Sequence, residues 1–318
     1  MNAAPQTFET APDLLVRSRP PLALSMVRAL RPKQWTKNGA VFMAAVFTIN
    51  LYWRPGDPVS LLTVFGKSVI AFVIFCALAS ATYLINDVAD IERDRQHPEK
   101  RSRPIAAGLV SPRLAIVVAA LLAGSAIPAA FLLGRDFGIV SAVYFASQFL
   151  YSYVLKHQVI LDVFTIAAGF ALRVVGGAFA IDVPVSPWLY VCTILGALFL
   201  GLCKRRHELL LLEDGATNHR KTLEAYTPQL LDQMIAVVTA STVIAYSLYS
   251  FSAENLPKNH AMMLTIPFVL YGLFRYLYLV YQRGLGGSPD ELLLRDKPLL
   301  IDVALWIGVS LLVLYFAR

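Results

Sequence analysis

The stretch Val69-Ile70-Ala71-Phe72-Val73-Ile74-Phe75-Cys76-Ala77-Leu78-Ala79-Ser80-Ala81-Thr82-Tyr83-Leu84-Ile85 runs without a charge into Asn86-Asp87-Val88-Ala89-Asp90-Ile91-Glu92-Arg93-Asp94. An uncharged apolar run of that length is what a helix needs to cross a bilayer. If the helix continues, Asp87, Asp90 and Asp94 fall within about 60° of one another on one face, with Asn86 at its edge. Carboxylates gathered at the mouth of a membrane helix repel unless a cation lies between them. Mg²⁺ suits that place, because it takes carboxylate and amide oxygens and usually arrives with a phosphate. The reading is a metal–diphosphate site on Asn86, Asp87, Asp90 and Asp94. The competing reading is a solvated polar cap on a transmembrane helix.

The rest of the chain points the same way. It is 57% hydrophobic and 15% charged, which excludes an ordinary soluble globule. Apolar runs recur with centres near Ala44, Ile74, Ala120, Tyr144, Ala168, Leu195, Ile244, Leu270 and Ile307. They predict an all-α polytopic membrane protein with nine transmembrane helices. Short polar connections place residues 28–318 in a single catalytic domain, behind a disordered cytoplasmic arm over residues 1–27.

Charge fixes the orientation. Of the 28 Lys and Arg residues, only Arg54, Lys67, Arg135, Lys258 and Arg318 fall on the side opposite the N-terminal arm, and Arg173 and Arg275 lie within apolar runs. So lopsided a division follows the positive-inside rule and puts the aspartates on the cytoplasmic side, with the plasma membrane as the expected location. It also accounts for much of the net charge of +7, so nucleic acid is not among the expected partners. Residues 1 to 35 lack the apolar core of a signal peptide. Arg28 to Lys37, with Trp35 among cations, reads as an interfacial segment. Cys76, Cys192 and Cys203 have no metal-ligand spacing and read as packing residues.

Polar chemistry accumulates on the cytoplasmic face. Lys33 and Lys37 are i, i+4 neighbours and would present two ammonium groups together, with Asn38 beside them. The loop from His97 to Gly108 holds Lys100, Arg101 and Arg103, which suit a phosphate. Tyr151-Ser152-Tyr153-Val154-Leu155-Lys156 ends the fourth span. Asp162 and Arg173 in the fifth share one helical face, and an intramembrane arginine marks either a functional site or a structural ion pair. Lys204-Arg205-Arg206-His207-Glu208 ends the sixth span, and Lys204 and Glu208, one turn apart, could face the aspartates. Membrane anchoring and positive-inside bias compete with phosphate binding for most of these cations.

On these residues the chain resembles the UbiA superfamily of intramembrane prenyltransferases. Asn86-Asp87-x-x-Asp90-x-x-x-Asp94 matches its metal–diphosphate signature, and Tyr151-Ser152-x-x-Leu155-Lys156 looks like its middle motif. The resemblance covers roughly residues 28 to 316. One departure stands out: where the superfamily usually carries a second aspartate-rich motif, this chain has Lys204-Arg205-Arg206-His207-Glu208. That replacement, with Arg31-Pro32-Lys33-Gln34-Trp35-x-Lys37-Asn38 and the run from Lys156 to Gly177, looks like the decaprenyl-phosphate phosphoribosyltransferase branch.

The resemblance implies transfer of 5-phosphoribose from phosphoribosyl pyrophosphate to decaprenyl or another polyprenyl phosphate, with Mg²⁺ as cofactor and a product that feeds cell-wall arabinan. It implies Asp87, Asp90 and Asp94 as catalytic metal ligands together with Asn86. Substrate would be held by Lys33, Lys37, Asn38, Arg101, Arg103, Tyr151, Lys156, Asp162, Arg173, Lys204, Arg205 and Glu208. Expected partners are the two substrates and membrane lipid, and homo-oligomerisation is left open. The alternatives are a prenyltransferase joining a prenyl diphosphate to an aromatic acceptor, a transporter, and a structural subunit of a membrane complex.

Overall fold

The computed structural model describes residues 20–98, 100–213, 223, 225–253, 256–287 and 289–317. Residues 1–19, most of the expected disordered arm, lie outside the described residues. The arm ends sooner than expected, because α1 (Leu22–Ala29) is already helical. Its Ala29 packs with Leu84, Ile105 and Val110, which ties it to the bundle, while Leu22, Leu24 and Val27 face outward.

Among the described residues the protein is all-α. Seven helices are long and apolar enough to cross a membrane. They are α3 (Pro58–Ala89), α5 (Pro112–Leu133), α7 (Leu161–Ala180), α8 (Pro187–Glu213), α9 (Pro228–Ser252), α10 (Ile266–Arg283, extended at its start by a 3₁₀ turn) and α12 (Lys297–Phe316). Short helices α2 (Met43–Phe47), α4 (Ile91–Gln96) and α11 (Pro289–Arg295) connect them, and α6 (Arg135–Tyr153) lies between α5 and α7. Four starts share one local code, an oxygen-bearing cap with proline at the first or second helical position. Asp57, Ser111, Thr227 and Asp296 accept from the N–H groups of Val59, Leu114, Leu230 and Leu299. Each satisfies an orphan donor of the first turn, and proline there loses no hydrogen bond.

Two of the nine expected spans, those centred on Ala44 and Tyr144, are not among these seven. Helix α6 carries Arg135 and Asp136 at its start and is the more polar of the two hairpin partners, yet it must return the chain. Helix α5 leaves the aspartate end, and Lys156, just beyond α6, is again 3.9 Å from Asp90. The first segment has a different pitch. Residues Pro32–Phe42 form a 3₁₀ helix that continues into α2. At about 2.0 Å per residue for the 3₁₀ part and about 1.5 Å for the α part, it covers roughly 30 Å, the thickness of the hydrocarbon core. Its ends agree: Arg31 pairs with Asp87, while Asn50 donates to the Tyr315 carbonyl at the far end of α12 (3.0 Å).

Sequence neighbours pack side by side from α3 through α5, α6, α7, α8 and α9 to α10. Helix α12 then packs on α10 and on α2, which closes the ring. The 3₁₀ segment lies inside that ring, against α3 and α7. Apolar clusters around Phe75, Phe137 and Tyr144 and around Leu202, Leu231 and Tyr276 form the core. All three cysteines are free.

Candidate functional site

The aspartates lie where α3 breaks. Asp90 caps α3 and starts α4, and its N–H still reaches the Asn86 carbonyl at 2.9 Å. The helix therefore resumes almost in register, and Asp87 and Asp94 stay on one side, both about 2% exposed. Buried carboxylates need counter-charges. Arg31 pairs with Asp87, while Arg103 reaches Asp87 at 3.2 Å and Asp94 at 2.6 Å. Asp90 is half-buried between Arg93 (3.5 Å) and Lys156 (3.9 Å). Arg31 adopts a left-handed backbone with φ 56° and lays its guanidinium 4.9 Å over the Tyr83 ring. Seven charged groups from four parts of the chain thus converge on one end of the bundle. Asn86 sits half-buried at the edge, as its spacing implies.

A second cluster lies beside the first. Asp162 and Arg205 are almost wholly buried and pair at 2.9 Å. Arg205 also pairs with Glu208. The Tyr226 hydroxyl donates to Asp162 (3.3 Å) and accepts the Ile160 N–H (2.6 Å). That contact holds Ile160 at φ 69°, which costs a β-branched residue about 1–3 kcal/mol. Burial and the adjacent Asp162 carboxylate push the Tyr226 hydroxyl above its ordinary pKa. Tyr151 lies near enough to feel the charge of Arg205. The Tyr151–Lys156 motif therefore stands between the clusters, one end at Arg205 and the other at Asp90.

Several expected placements change. Lys33 and Lys37 do not point together, because a 3₁₀ helix turns about 120° per residue and puts i and i+4 on different ridges. Lys33 is exposed and Lys37 half-buried. Glu208 turns to Arg205 in the second cluster rather than to the aspartates. Arg173 does not pair with Asp162; its guanidinium donates to Asn38 Oδ1 (2.7 Å), the Gly169 carbonyl (2.8 Å) and the Tyr144 hydroxyl (2.7 Å). Trp35 is not at the interface but donates to Ser80 Oγ inside the bundle (3.0 Å). Arg101 is exposed, and Lys204 is half-buried with no carboxylate partner among the described residues. Sequence reasoning gave no site role to Arg31, which it quoted only as the start of the motif entering the first span, and it missed Tyr226, an aromatic in a polar connection with no local signal.

The donor set suits Mg²⁺ in one specific way. Among the described residues no three His, Cys, Asp or Glu side chains converge into a metal cage. Yet Oδ2 of Asp87 and Oδ1 of Asp94 accept no hydrogen bond there. One or two such carboxylates, completed by substrate phosphates and water, is the usual environment of Mg²⁺.

The model of the UbiA prenyltransferase family matches residues 40–288. This chain belongs to that family. The UbiA fold is equally plain in three dimensions. A UbiA homologue from Archaeoglobus fulgidus, solved with GPP and Mg²⁺, superposes with a TM-score of 0.68 at 18% identity, over 91% of this chain and 99% of that one. Among UbiA relatives of closer sequence is the decaprenyl-phosphate phosphoribosyltransferase of Mycolicibacterium smegmatis, 36% identical over 93% of this chain and 94% of its own length. The enzyme of that name from Corynebacterium glutamicum is 35% identical over 94% and 90%. The chain is thus a multi-pass membrane protein of a transferase family.

Proposed function

We propose that the protein transfers 5-phosphoribose from phosphoribosyl pyrophosphate to decaprenyl phosphate or another polyprenyl phosphate. Lys204 carries the reading. It is a half-buried cation without a carboxylate partner among the described residues, next in the chain to Arg205, which Asp162 and Glu208 hold. A phosphate is the natural missing partner. Relatives of similar length and about 35% identity bear the name of that activity.

The chemistry needs charge placement more than proton transfer. The bond from the anomeric carbon to the diphosphate breaks while a lipid phosphate oxygen bonds to that carbon and diphosphate leaves. The ribosyl centre has oxocarbenium character, as in glycoside cleavage. The acceptor is already ionised, so no strong base is required. Positioning and electrostatics remain for the protein. Mg²⁺, held by Asp87, Asp90 and Asp94 with Asn86 beside them, would neutralise charge on the departing diphosphate. Arg31, Arg103 and Lys156 stand next to those carboxylates and would hold the same group. Lys33, Lys37, Arg101 and Lys204 would take the 5-phosphate and the lipid phosphate. Arg205, already held by Asp162 and Glu208, shapes the site instead. The reaction faces the cytoplasm at the plasma membrane, where the cations gather, and its product supplies cell-wall arabinan synthesis.

The test is an incubation of purified protein with labelled phosphoribosyl pyrophosphate, polyprenyl phosphate and Mg²⁺. Formation of a lipid-linked phosphoribose is expected. One displacement at an α-anomeric donor inverts the centre, so NMR of the anomeric proton should show a β-linkage. An α-linked product would require two displacements and a covalent ribosyl-enzyme. Label transferred only from a prenyl diphosphate to an aromatic acceptor would overturn the proposal.

A further inference from the structure

The segment Pro32–Phe42 is unusual, because 3₁₀ helices rarely exceed three or four residues. A run of eleven, entered through a left-handed Arg31, must be held by its surroundings. The pattern of holding contacts has a period of three. Trp35 donates to Ser80 Oγ. Asn38, fully buried, accepts from Arg173 Nε and donates to Cys76 Sγ (3.2 Å). The Val41 carbonyl sits against Gly177, where a Cβ would run into it. Residues 35, 38 and 41 eclipse in a 3₁₀ helix but would spread over about 120° in an α-helix. The tertiary contacts therefore select the pitch.

Arg173 is the central contact. It lies one turn after Gly169 and one before Gly177 on α7, so one face of that helix supplies both the grip and the close approach. Its guanidinium is braced by the Gly169 carbonyl and the Tyr144 hydroxyl and lies 4.7 Å over the Tyr144 ring. It has no carboxylate partner among the described residues, and its remaining strong contact is Asn38. We propose that Arg173 is a positioning residue: through Asn38 it fixes the 3₁₀ register of residues 32–42, and so the placement of Arg31 at Asp87 and the directions taken by Lys33 and Lys37. The kinetic part of this inference rests on the phosphoribosyl transfer proposed above; the structural part does not.

Cys76 gives a readout independent of turnover. It is buried beneath Asn38, so its modification by N-ethylmaleimide, followed by peptide mass spectrometry in detergent-solubilised protein, reports loosening of the segment. Arg173→Gln and Asn38→Ala should each raise Cys76 modification at least about fivefold. They should also raise KM for phosphoribosyl pyrophosphate by about tenfold, with kcat changed far less, the expected loss for one charge-assisted contact acting through binding. Asn38→Asp keeps an acceptor for Arg173 Nε and should leave Cys76 as protected as in the native protein. Should Arg173→Gln not yield folded protein, the two Asn38 variants carry the test alone. Cys76 remaining protected in Asn38→Ala would overturn the proposal. A fall in kcat at constant KM would also overturn it, by placing Arg173 at the reacting atoms. If phosphoribosyl pyrophosphate proves not to be the substrate, the modification rates still decide whether Arg173 fixes the segment.

Discussion

Replacing Asp162 by Asn removes a charge from the most deeply buried ion pair in the described chain. Asp162 has no exposed surface and Arg205 about 2%, so the guanidinium left behind has no access to water. Breaking a buried pair from one side costs about 3–5 kcal/mol. Glu208 still faces Arg205, and its side chain is 28% exposed, so the lower end applies, about 3 kcal/mol. Large domains lose roughly 2 °C of Tm per kcal/mol, which makes the expected shift about 6 °C. Size-exclusion chromatography of heated, detergent-solubilised protein would measure it. Joint replacement, Asp162→Leu with Arg205→Met, should recover most of the loss, because apolar side chains of similar volume often substitute for a buried pair. A shift under about 2 °C for Asp162→Asn, or a double variant no better than the single one, would refute the reasoning. The double variant also tests chemistry: if Arg205 shapes the site without touching phosphate, turnover should survive in it.

Asp87→Ala and Asp90→Ala should each nearly abolish lipid-linked product in the radiolabel assay while the protein still elutes as a folded species; near-normal activity in both would remove the metal assignment. Lys204→Ala should raise KM for one of the two substrates about 10- to 150-fold, the worth of one charge-assisted phosphate contact, and unchanged kinetics would reduce Lys204 to a topological role. Gly177→Ala should sharply lower the yield of folded protein, since its Cβ would displace the Val41 backbone, whereas Gly124→Ala and Gly196→Ala meet open space and should leave yield unchanged or slightly improved. Bidentate hydrogen bonds from Arg275 (2.8 and 3.1 Å) hold the Asp296 carboxyl below the ordinary range. A depressed folded pKa gives stability that is present above the unfolded value near 3.9 and lost as pH falls through the folded one, so this clamp should survive at pH 5 and fail only below about pH 4. An Arg275→Gln variant lacks that acid-sensitive step in a pH series of melting curves.

The long apolar runs and the asymmetry of cations were legible because both are local properties of the chain. The face of Asp87, Asp90 and Asp94 was legible too, since α4 resumes nearly in register after the break at Asp90. Pitch was not legible from hydropathy. An apolar run around Ala44 has the composition of a span whether it rises 1.5 or 2.0 Å per residue, and the contacts of Trp35, Asn38 and Val41 that select the pitch exist only in the fold. Long-range pairing was hidden for another reason. Asp162 and Arg205 are 43 residues apart, and several cations could have answered that carboxylate. Arg31 stood at the head of a recognisable motif, but nothing in that motif named its partner; folding alone brings it to Asp87, 56 residues away.

The 3₁₀ crossing acts as a ruler without slack. An α-helix of twenty or more residues can tilt in a thinner bilayer, but a segment that covers roughly 30 Å with sixteen residues is already stretched. Its two ends are pinned, Arg31 at Asp87 and Asn50 at the end of α12. Adding or deleting one residue between them would rotate the Trp35–Asn38–Val41 ridge by about 120° and turn a different ridge toward α3 and α7. The number of residues between Arg31 and Asn50 is therefore fixed by geometry, and a hydrocarbon layer much thinner or thicker than 30 Å would strain the fold first at this segment, directly beneath the aspartates.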